Sequence, residues 1–281
     1  MTFVTRFAPS PTGYLHKGHA VSALTAWSAA RQAGGRFLLR IEDTDFTRCR
    51  PEYEAAVLQD LAWLGIRWEQ PVRRQSEHRA EYDAALDRLR EMGVLYRCFR
   101  TRKELMALAG VAPHADDPTD PHAFSYGPPS AADEADRLAQ GEAFAWRLSL
   151  EAARDRLGDL SALTWVEERV RPGVHHAHPE RLGDMVVGRK DIGAGYIIAA
   201  VLDDALQGVT HVIRGEDLIE VTSVQRVLQA LLDLPTPVYR HHPLLLGPDG
   251  KRYAKRDRSV TLAEIRASGV TAEALKAELG V

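Results

Sequence analysis

His16-Lys17-Gly18-His19 sets two imidazoles three residues apart, shortly after Pro9-Ser10-Pro11-Thr12-Gly13, and Lys251-Arg252-Tyr253-Ala254-Lys255-Arg256 gathers cations near the other end of the chain. A strand over Thr2 to Phe7, a turn and a helix from about Gly18 to Arg31 would bring both histidines to a helix start. Unpaired backbone N–H groups and the positive end of the helix dipole favour an anion there, and imidazole N–H donors add directed hydrogen bonds. Gly18 leaves room for a nucleotide to approach the backbone. With the basic segment closing from the opposite side, His16, His19 and Lys255 would form the two halves of a clamp on the phosphates of ATP. Each half has a plainer reading when taken alone: histidines near a helix start serve as caps, and a lone K-x-x-x-K is a solvated turn.

The elements that must bring these groups together read as an α/β chain. Strand Thr2–Phe7, the helix to Arg31, strand Phe37–Ile41, helix Glu52–Leu64 and helix Glu77–Glu91 follow the βαβα order of a parallel sheet. Gly34-Gly35 and Gly65 stand where glycine ends helices. Between about Val111 and Pro129, five prolines crowd among Asp116, Asp117 and Asp120, which marks an irregular loop inside an insertion. The sheet pattern resumes with apolar runs over Gly195–Asp203 and Val209–Arg214. The expected fold is a Rossmann-type doubly wound parallel sheet split by an insertion, with a short helical C-terminal region carrying the lysine loop. The corresponding division is 1–95 and 184–240 for the two halves of the nucleotide-binding domain, 96–183 for the insertion, and 241–281 for the remainder. In such sheets ligands bind at the carboxyl ends of strands, and Arg6 to Ser10, Arg40 to Asp45 and Arg214 to Asp217 all fall at or just beyond strand ends.

The 281 residues are 45% hydrophobic and 27% charged, with a formal net charge of -3, as in an ordinary soluble protein of one or two domains. A net negative chain does not grip nucleic acid through overall electrostatics, so RNA contacts would be local. Arg97, Arg100, Arg102 and Lys103 form one candidate patch, equally readable as a solvated face, and Lys251, Arg252, Lys255, Arg256 and Arg258 form another. Cys49 and Cys98 are too few for a disulfide framework and suit a reducing cytosol. The start lacks a basic stretch followed by an apolar one, and the apolar run Tyr196–Leu202 is far short of the ~20 residues that span a bilayer. A cytoplasmic protein with no membrane partner is expected.

Arg6-Phe7-Ala8-Pro9-Ser10-Pro11-Thr12-Gly13, His16 to His19 and Arg40-Ile41-Glu42-Asp43-Thr44-Asp45 resemble the start of bacterial glutamyl-tRNA synthetases, class I aminoacyl-tRNA synthetases. Leu64-Gly65-Ile66-Arg67-Trp68, Asp184-Met185-Val186-Val187, Val201-Leu202-Asp203-Asp204 and His211-Val212-Ile213-Arg214-Gly215-Glu216-Asp217-Leu218 extend the resemblance over most of the chain. Too few residues follow Lys255 for the ~50 that a domain needs, so an anticodon-binding module is not expected behind it, which resembles the short glutamyl-Q tRNA(Asp) branch. The resemblance implies that L-glutamate is activated with ATP, brought as its Mg2+ complex, without tRNA, and then transferred to the queuosine base of tRNA(Asp). A monomer is expected. It also implies a catalytic role for His16, His19 and the loop lysine, Lys255, although Tyr253 and Ala254 depart from the family's usual letters.

By the same resemblance Arg6, Ala8, Pro9, Ser10, Glu42, Tyr196 and Arg214 occupy glutamate-binding positions. The chemistry agrees: guanidinium forks suit the two carboxylates of glutamate, Glu42 suits its ammonium, and Tyr196 adds a hydroxyl. The related glutaminyl enzymes lack an arginine at the position of Arg6, which favours glutamate over its amide. Outside the motif, Glu42 and Arg214 would read as an ordinary ion pair. Asp43 and Asp45 read as turn and cap residues, and Gly193-Ala194-Gly195 as a turn. Many glutamyl-Q enzymes carry zinc on three cysteines and a tyrosine of the insertion. Here Cys98 stands alone, Arg100 replaces the second cysteine, and Gly127-Pro128-Pro129 beyond Tyr126 offers no third, so no structural zinc is expected. His114, His122 and His175-His176-Ala177-His178 read as solvent-facing. Two alternatives stay open: a truncated glutamyl-tRNA synthetase charging tRNA(Glu), and a non-catalytic RNA-binding paralogue.

Overall fold

The computed structural model describes residues 2–101, 104, 127–190, 193–245 and 260–281. Val4–Phe7 forms β1, buried along its whole length. It leads into α1 (Lys17–Gln32), whose buried face is nearly all alanine, Ala20, Ala23, Ala26, Ala29 and Ala30. Side chains this small let α1 pack against β1, β2 (Arg36–Ile41) and, across the chain, β10 (His211–Gly215). Gly34, at φ 60°, provides the left-handed turn between α1 and β2. α2 (Pro51–Trp63) starts on Pro51 with Glu52 and Glu54 in its first turn, both favourable at a helix N-terminus. β3 (Glu69–Arg74) joins the far side of β2, and α3 (Arg79–Glu91) follows.

The chain then passes through β4 (Leu95–Cys98), α4 (Ala131–Ala139), β5 (Ala145–Leu148), α5 (Leu150–Leu157), β6 (Thr164–Glu167), β7 (Gly173–His176), β8 (Val186–Arg189) and β9 (Gly193–Ala194). It returns through α6 (Tyr196–Leu206), β10, α7 (Val221–Leu231) and β11 (Val238–His242), and ends in α8 (Leu262–Ala267) and α9 (Ala272–Leu279). Strands β1, β2 and β3 pair in parallel, as do β10, β11 and β6. The Thr210 N–H donates to the Val4 carbonyl at 2.9 Å and the Val4 N–H to Thr210 Oγ1 at 2.8 Å, so the two parallel groups meet at β1 and β10. Strands β4, β5, β8 and β9 form a separate antiparallel sheet.

One run departs from expectation. Gly195–Asp203 reads as a strand but folds as α6, with Ile197 to Val201 and both Asp203 and Asp204 buried. A helix covered on nearly every side loses its polar stripe, and its apolar run then looks like that of a central strand. β3 goes unread for the opposite reason: Glu69-Gln70-Pro71-Val72-Arg73-Arg74 is polar and contains proline, as an edge strand tolerates.

Two large apolar clusters support the sheet layer. Tyr82, Leu86, Leu148, Ile198, Val224 and Leu228 belong to one. The other holds Phe7, Leu24, Leu61 and Ile213 together with Leu262, Ile265 and Leu275, so the last two helices share a core with α1.

Candidate functional site

The crevice at the carboxyl ends of β1, β2 and β10 holds a cavity of about 420 Å³, within the usual size of small-molecule sites. His16 and His19 line one part of it, and Arg6, Glu42, Tyr196 and Arg214 line another.

At the histidine end, His16 is the residue that caps α1. Its Nδ1 accepts the Gly18 N–H at 3.1 Å, while the His16 N–H donates to His19 Nδ1 at 3.1 Å. The plain capping reading is therefore correct as local structure. It is also what prepares the pair: with both Nδ1 atoms accepting, each neutral ring carries its proton on Nε2, the donor an anion needs. The rings lie 3.8 Å apart. Gly18 matters for a reason the sequence does not suggest, since a Cβ there would sit 3.1 Å from the His16 ring. Ser22 Oγ, one turn further along α1, bonds His242 Nε2 at 2.9 Å and so ties the helix to the end of β11.

Lys255 lies outside the described residues, with the whole of 246–259. The residues on either side of that segment do not: Leu244 and Leu245 line the cavity, and Thr261 bridges His16 while the Leu262 N–H donates to the Leu15 carbonyl at 2.8 Å. Both flanks of the lysine segment thus stand at the crevice.

The opposite end is built from buried charge. Arg6 donates to both oxygens of Asp204 at 2.8 and 3.2 Å, and Arg40 donates to Asp204 Oδ1 at 2.8 Å and to Glu42 Oε1 at 3.1 Å. Burial alone would raise the Asp204 pKa, but Arg6 and Arg40 overcome it and hold the carboxyl at about 2. For Glu42 burial is the stronger influence and moves its pKa upward against Arg40 and Arg6. A substrate ammonium would offset that burial. Asp203 forms the outer layer, accepting from Arg73 at 2.7 Å, Gln75 at 2.9 Å and Tyr82 at 2.9 Å. Arg6 is therefore anchored along one edge, not free to swing as an isolated fork.

Arg214 donates from Nε to His241 Nε2 at 3.1 Å and from its terminal nitrogen to Thr222 Oγ1 at 2.8 Å and the Leu218 carbonyl at 3.2 Å. His241 Nδ1 in turn meets Glu167 Oε2 at 2.6 Å. Burial and then the Arg214 charge press the His241 pKa down to about 4, against the pull of Glu167.

The remaining expected positions fall unevenly. Ala8 lines the cavity, while Pro9 accepts the Glu42 N–H at 3.1 Å and so fixes the backbone beside Ala8. Ser10 is exposed and is not among the cavity-lining residues. Tyr196, at the first turn of α6, lines the cavity at 37% exposure. Asp45 accepts locally from Thr47 and Arg48, as a turn residue does, and also from Arg189. Asp43 instead accepts from the backbone and hydroxyl of Ser76, 33 positions along the chain, and so makes a tertiary bond, not a local turn. His175, His176 and His178 bond separately to the Arg171 carbonyl, the Ser161 carbonyl and Glu180. In the candidate RNA patch, Arg97 pairs with Glu134 and stacks on Trp146 at 4.8 Å, while Arg102 and Lys103 lie outside the described residues. Cys98 is buried, and His114, His122 and Tyr126 also lie outside the described residues. Among the described residues no helix is long and apolar enough to cross a membrane.

Arg40 falls at the strand end where the sequence grouped it with the crevice, although its pairing with Asp204 was not foreseen; Asp204, Glu167 and His241 were not expected at the site. Two adjacent aspartates inside an apolar run were the available signal for Asp204, because acids stay buried only when paired. Nothing local distinguishes Glu167.

A profile of the family described as "tRNA synthetases class I (E and Q), catalytic domain" matches residues 2–280. A protein of Rhodobacter capsulatus named glutamyl-Q tRNA(Asp) synthetase is 45% identical, covering 99% of this chain and 100% of its own length. Its namesake in Nocardia farcinica is 42% identical over 98% of this chain and 82% of its own. A crystal structure of a glutamate tRNA ligase from Elizabethkingia meningosepticum, in complex with its amino acid, superposes with a TM-score of 0.79 at 26% identity. The chain is covered completely and spans 61% of that ligase.

Proposed function

This chain belongs to the class I tRNA synthetases of the E and Q type, and from that membership we propose that it activates L-glutamate with ATP, independently of tRNA, and transfers it to the queuosine base of tRNA(Asp). The observation that carries the reading is one cavity with phosphate-type donors, His16 and His19, at one end and Arg6, Glu42 and Arg214 at the other. ATP enters as its Mg2+ complex. Arg6 and Arg214 hold the carboxylates of glutamate and Glu42 its ammonium, with the Tyr196 hydroxyl beside them. A glutamate carboxylate oxygen bonds to the α-phosphorus as the bond to the bridging oxygen breaks and pyrophosphate leaves. His16 and His19 donate hydrogen bonds to the departing oxygens and Lys255 sets its positive charge against theirs. Attack of an acceptor oxygen on the glutamyl carbonyl then releases AMP.

Residues 1–95 and 184–240 are assigned to the nucleotide-binding halves, 96–183 to the acceptor-facing insertion and 241–281 to the lysine loop and last helices. β6 crosses that division to join the parallel sheet beside β11, and β8, with β9 paired to it, crosses it to join β5. The protein acts as a cytoplasmic monomer and, with Cys98 as the single cysteine of the insertion, without structural zinc. Stoichiometric zinc by elemental analysis of purified protein would refute the last point.

The decisive experiment incubates labelled glutamate, ATP and magnesium with tRNA(Asp) containing or lacking queuosine and with tRNA(Glu). Label only on queuosine-bearing tRNA(Asp) is expected. Label on tRNA(Glu) would instead favour a glutamyl-tRNA synthetase, the reading that the Elizabethkingia likeness keeps in view. Pyrophosphate exchange without any tRNA is the quicker test of tRNA independence.

A further inference from the structure

Arg214 is held against the cavity by a buried chain reaching β6, an element far from it in sequence. We propose that Glu167 and His241 are positioning residues that fix the guanidinium of Arg214 in the orientation that receives a carboxylate of the amino-acid substrate. The proposal rests on reading Arg214 as a glutamate ligand.

Each bond in the chain dictates the next. Glu167 is 1% exposed and His241 is 0% exposed. Glu167 Oε1 accepts the backbone N–H groups of Arg169 at 3.0 Å, Val170 at 3.1 Å and His241 at 3.0 Å, which locks the carboxylate plane. Its Oε2 then faces His241 Nδ1 at 2.6 Å and requires a proton there. With Nδ1 protonated in a neutral ring, Nε2 has a free lone pair, and that lone pair accepts the Arg214 Nε–H at 3.1 Å. The low pKa of His241 agrees with a neutral ring. Had His241 paired with Arg214 as a carboxylate would, it would have cancelled the charge needed for substrate. A neutral imidazole orients the guanidinium and leaves its charge intact, and Thr222 and the Leu218 carbonyl do the same from the other side. Tyr239 keeps the imidazole plane, its ring lying 4° from parallel with that of His241 at 6.0 Å. β6 and β11 are paired strands, so the chain is held by sheet hydrogen bonds rather than by loops.

Glu167→Gln is the sharpest probe because it preserves shape. An amide N–H2 in place of Oε2 meets the Nδ1–H, drives the proton to Nε2 and turns the acceptor for Arg214 into a donor. His241→Leu removes the link outright, whereas His241→Gln can accept from Arg214 and donate to Glu167. The assay is glutamate-dependent ATP–pyrophosphate exchange with tRNA present, read as separate KM values for glutamate and ATP. Glu167→Gln and His241→Leu are expected to raise the KM for glutamate about tenfold or more, with the KM for ATP within about twofold, and His241→Gln to recover to within about threefold of the native value. On an Arg214→Ala background Glu167→Gln should add nothing, because the residue it orients is gone. Equal losses for His241→Leu and His241→Gln, parallel rises in both KM values, or full additivity with Arg214→Ala would overturn the proposal. If Glu167→Gln does not fold, the His241 pair decides alone. Should Arg214→Ala itself leave the KM for glutamate unchanged, the reading of Arg214 as a glutamate ligand fails instead.

Discussion

Asp204 and Asp60 are both buried aspartates on helices, yet one is held at about 2 and the other is pushed up to about 6. Asp204 lies behind the end of the crevice proposed to take glutamate and receives Arg6 and Arg40 through hydrogen bonds. Asp60, on α2, faces Arg266 of α8, the helix whose N-cap Thr261 bridges His16 at the other end of the crevice. Neither of its oxygens makes a hydrogen bond, although Arg266 stands 3.1 Å away as an ion pair. The lesson concerns how each end is held. At the glutamate end buried charges fix one another, so the arginines are preset but costly to disturb. At the other end Leu262, Ile265 and Leu275 join the apolar core that α1 and α2 share, and the histidines are set by local capping bonds. Substitutions at the glutamate end should therefore lose stability first, and those at the phosphate end should lose activity first.

The largest effect belongs to Asp204→Asn. Two buried guanidiniums would lose a shared counterion, and breaking such a pair costs about 3–5 kcal/mol. A fall in denaturant midpoint corresponding to at least ~3 kcal/mol is expected; a change under ~1 kcal/mol would mean that Glu42 and Asp203 suffice and that the two ends are not held differently. Next is Lys255→Ala, which should lower glutamate-dependent pyrophosphate exchange by ~10²-fold or more at unchanged stability, as loss of a charge-stabilising group does. Near-normal exchange would remove the lysine from the clamp. His19→Ala falls between the two behaviours. Loss of one phosphate donor should lower kcat/KM for ATP by about tenfold or more, while loss of half the capping arrangement costs only ~1 kcal/mol in thermal unfolding. A stability loss without a rate loss would reduce His19 to a cap.

The two ends also differed in how far the sequence disclosed them. Arg6, Glu42 and Arg214 sit at the ends of strands, and His16 and His19 at a helix start, so the short-range grammar of strand, turn and helix already placed them. The supporting charges obey no such grammar. Arg40 reaches Asp204 across 164 positions and Glu167 reaches His241 across 74. Such pairings are set only by which strands become neighbours. Asp204 was further hidden because α6 reads as a strand, and an acid at a strand end is ordinarily a surface group.

Asp60 gives the smallest effect and the most direct check on the comparison. Burial raises its pKa above the ~3.9 of an unfolded aspartate, with Arg266 opposing, so the folded state binds this proton more tightly than the unfolded one. Its contribution to stability is full below about pH 4 and is lost as pH rises through about 6, the reverse of Asp204, whose depressed pKa contributes above pH 4 and fails only as pH falls towards 2. Asp60→Asn abolishes the charge that burial penalises. At pH 7.5 it should stabilise the protein by about 1 kcal/mol, a rise of roughly 2–4 °C in Tm, and at pH 4 the gain should vanish. A Tm that drops equally at both pH values would mean that Arg266 already satisfies Asp60. Both ends of the crevice would then rest on paired charge.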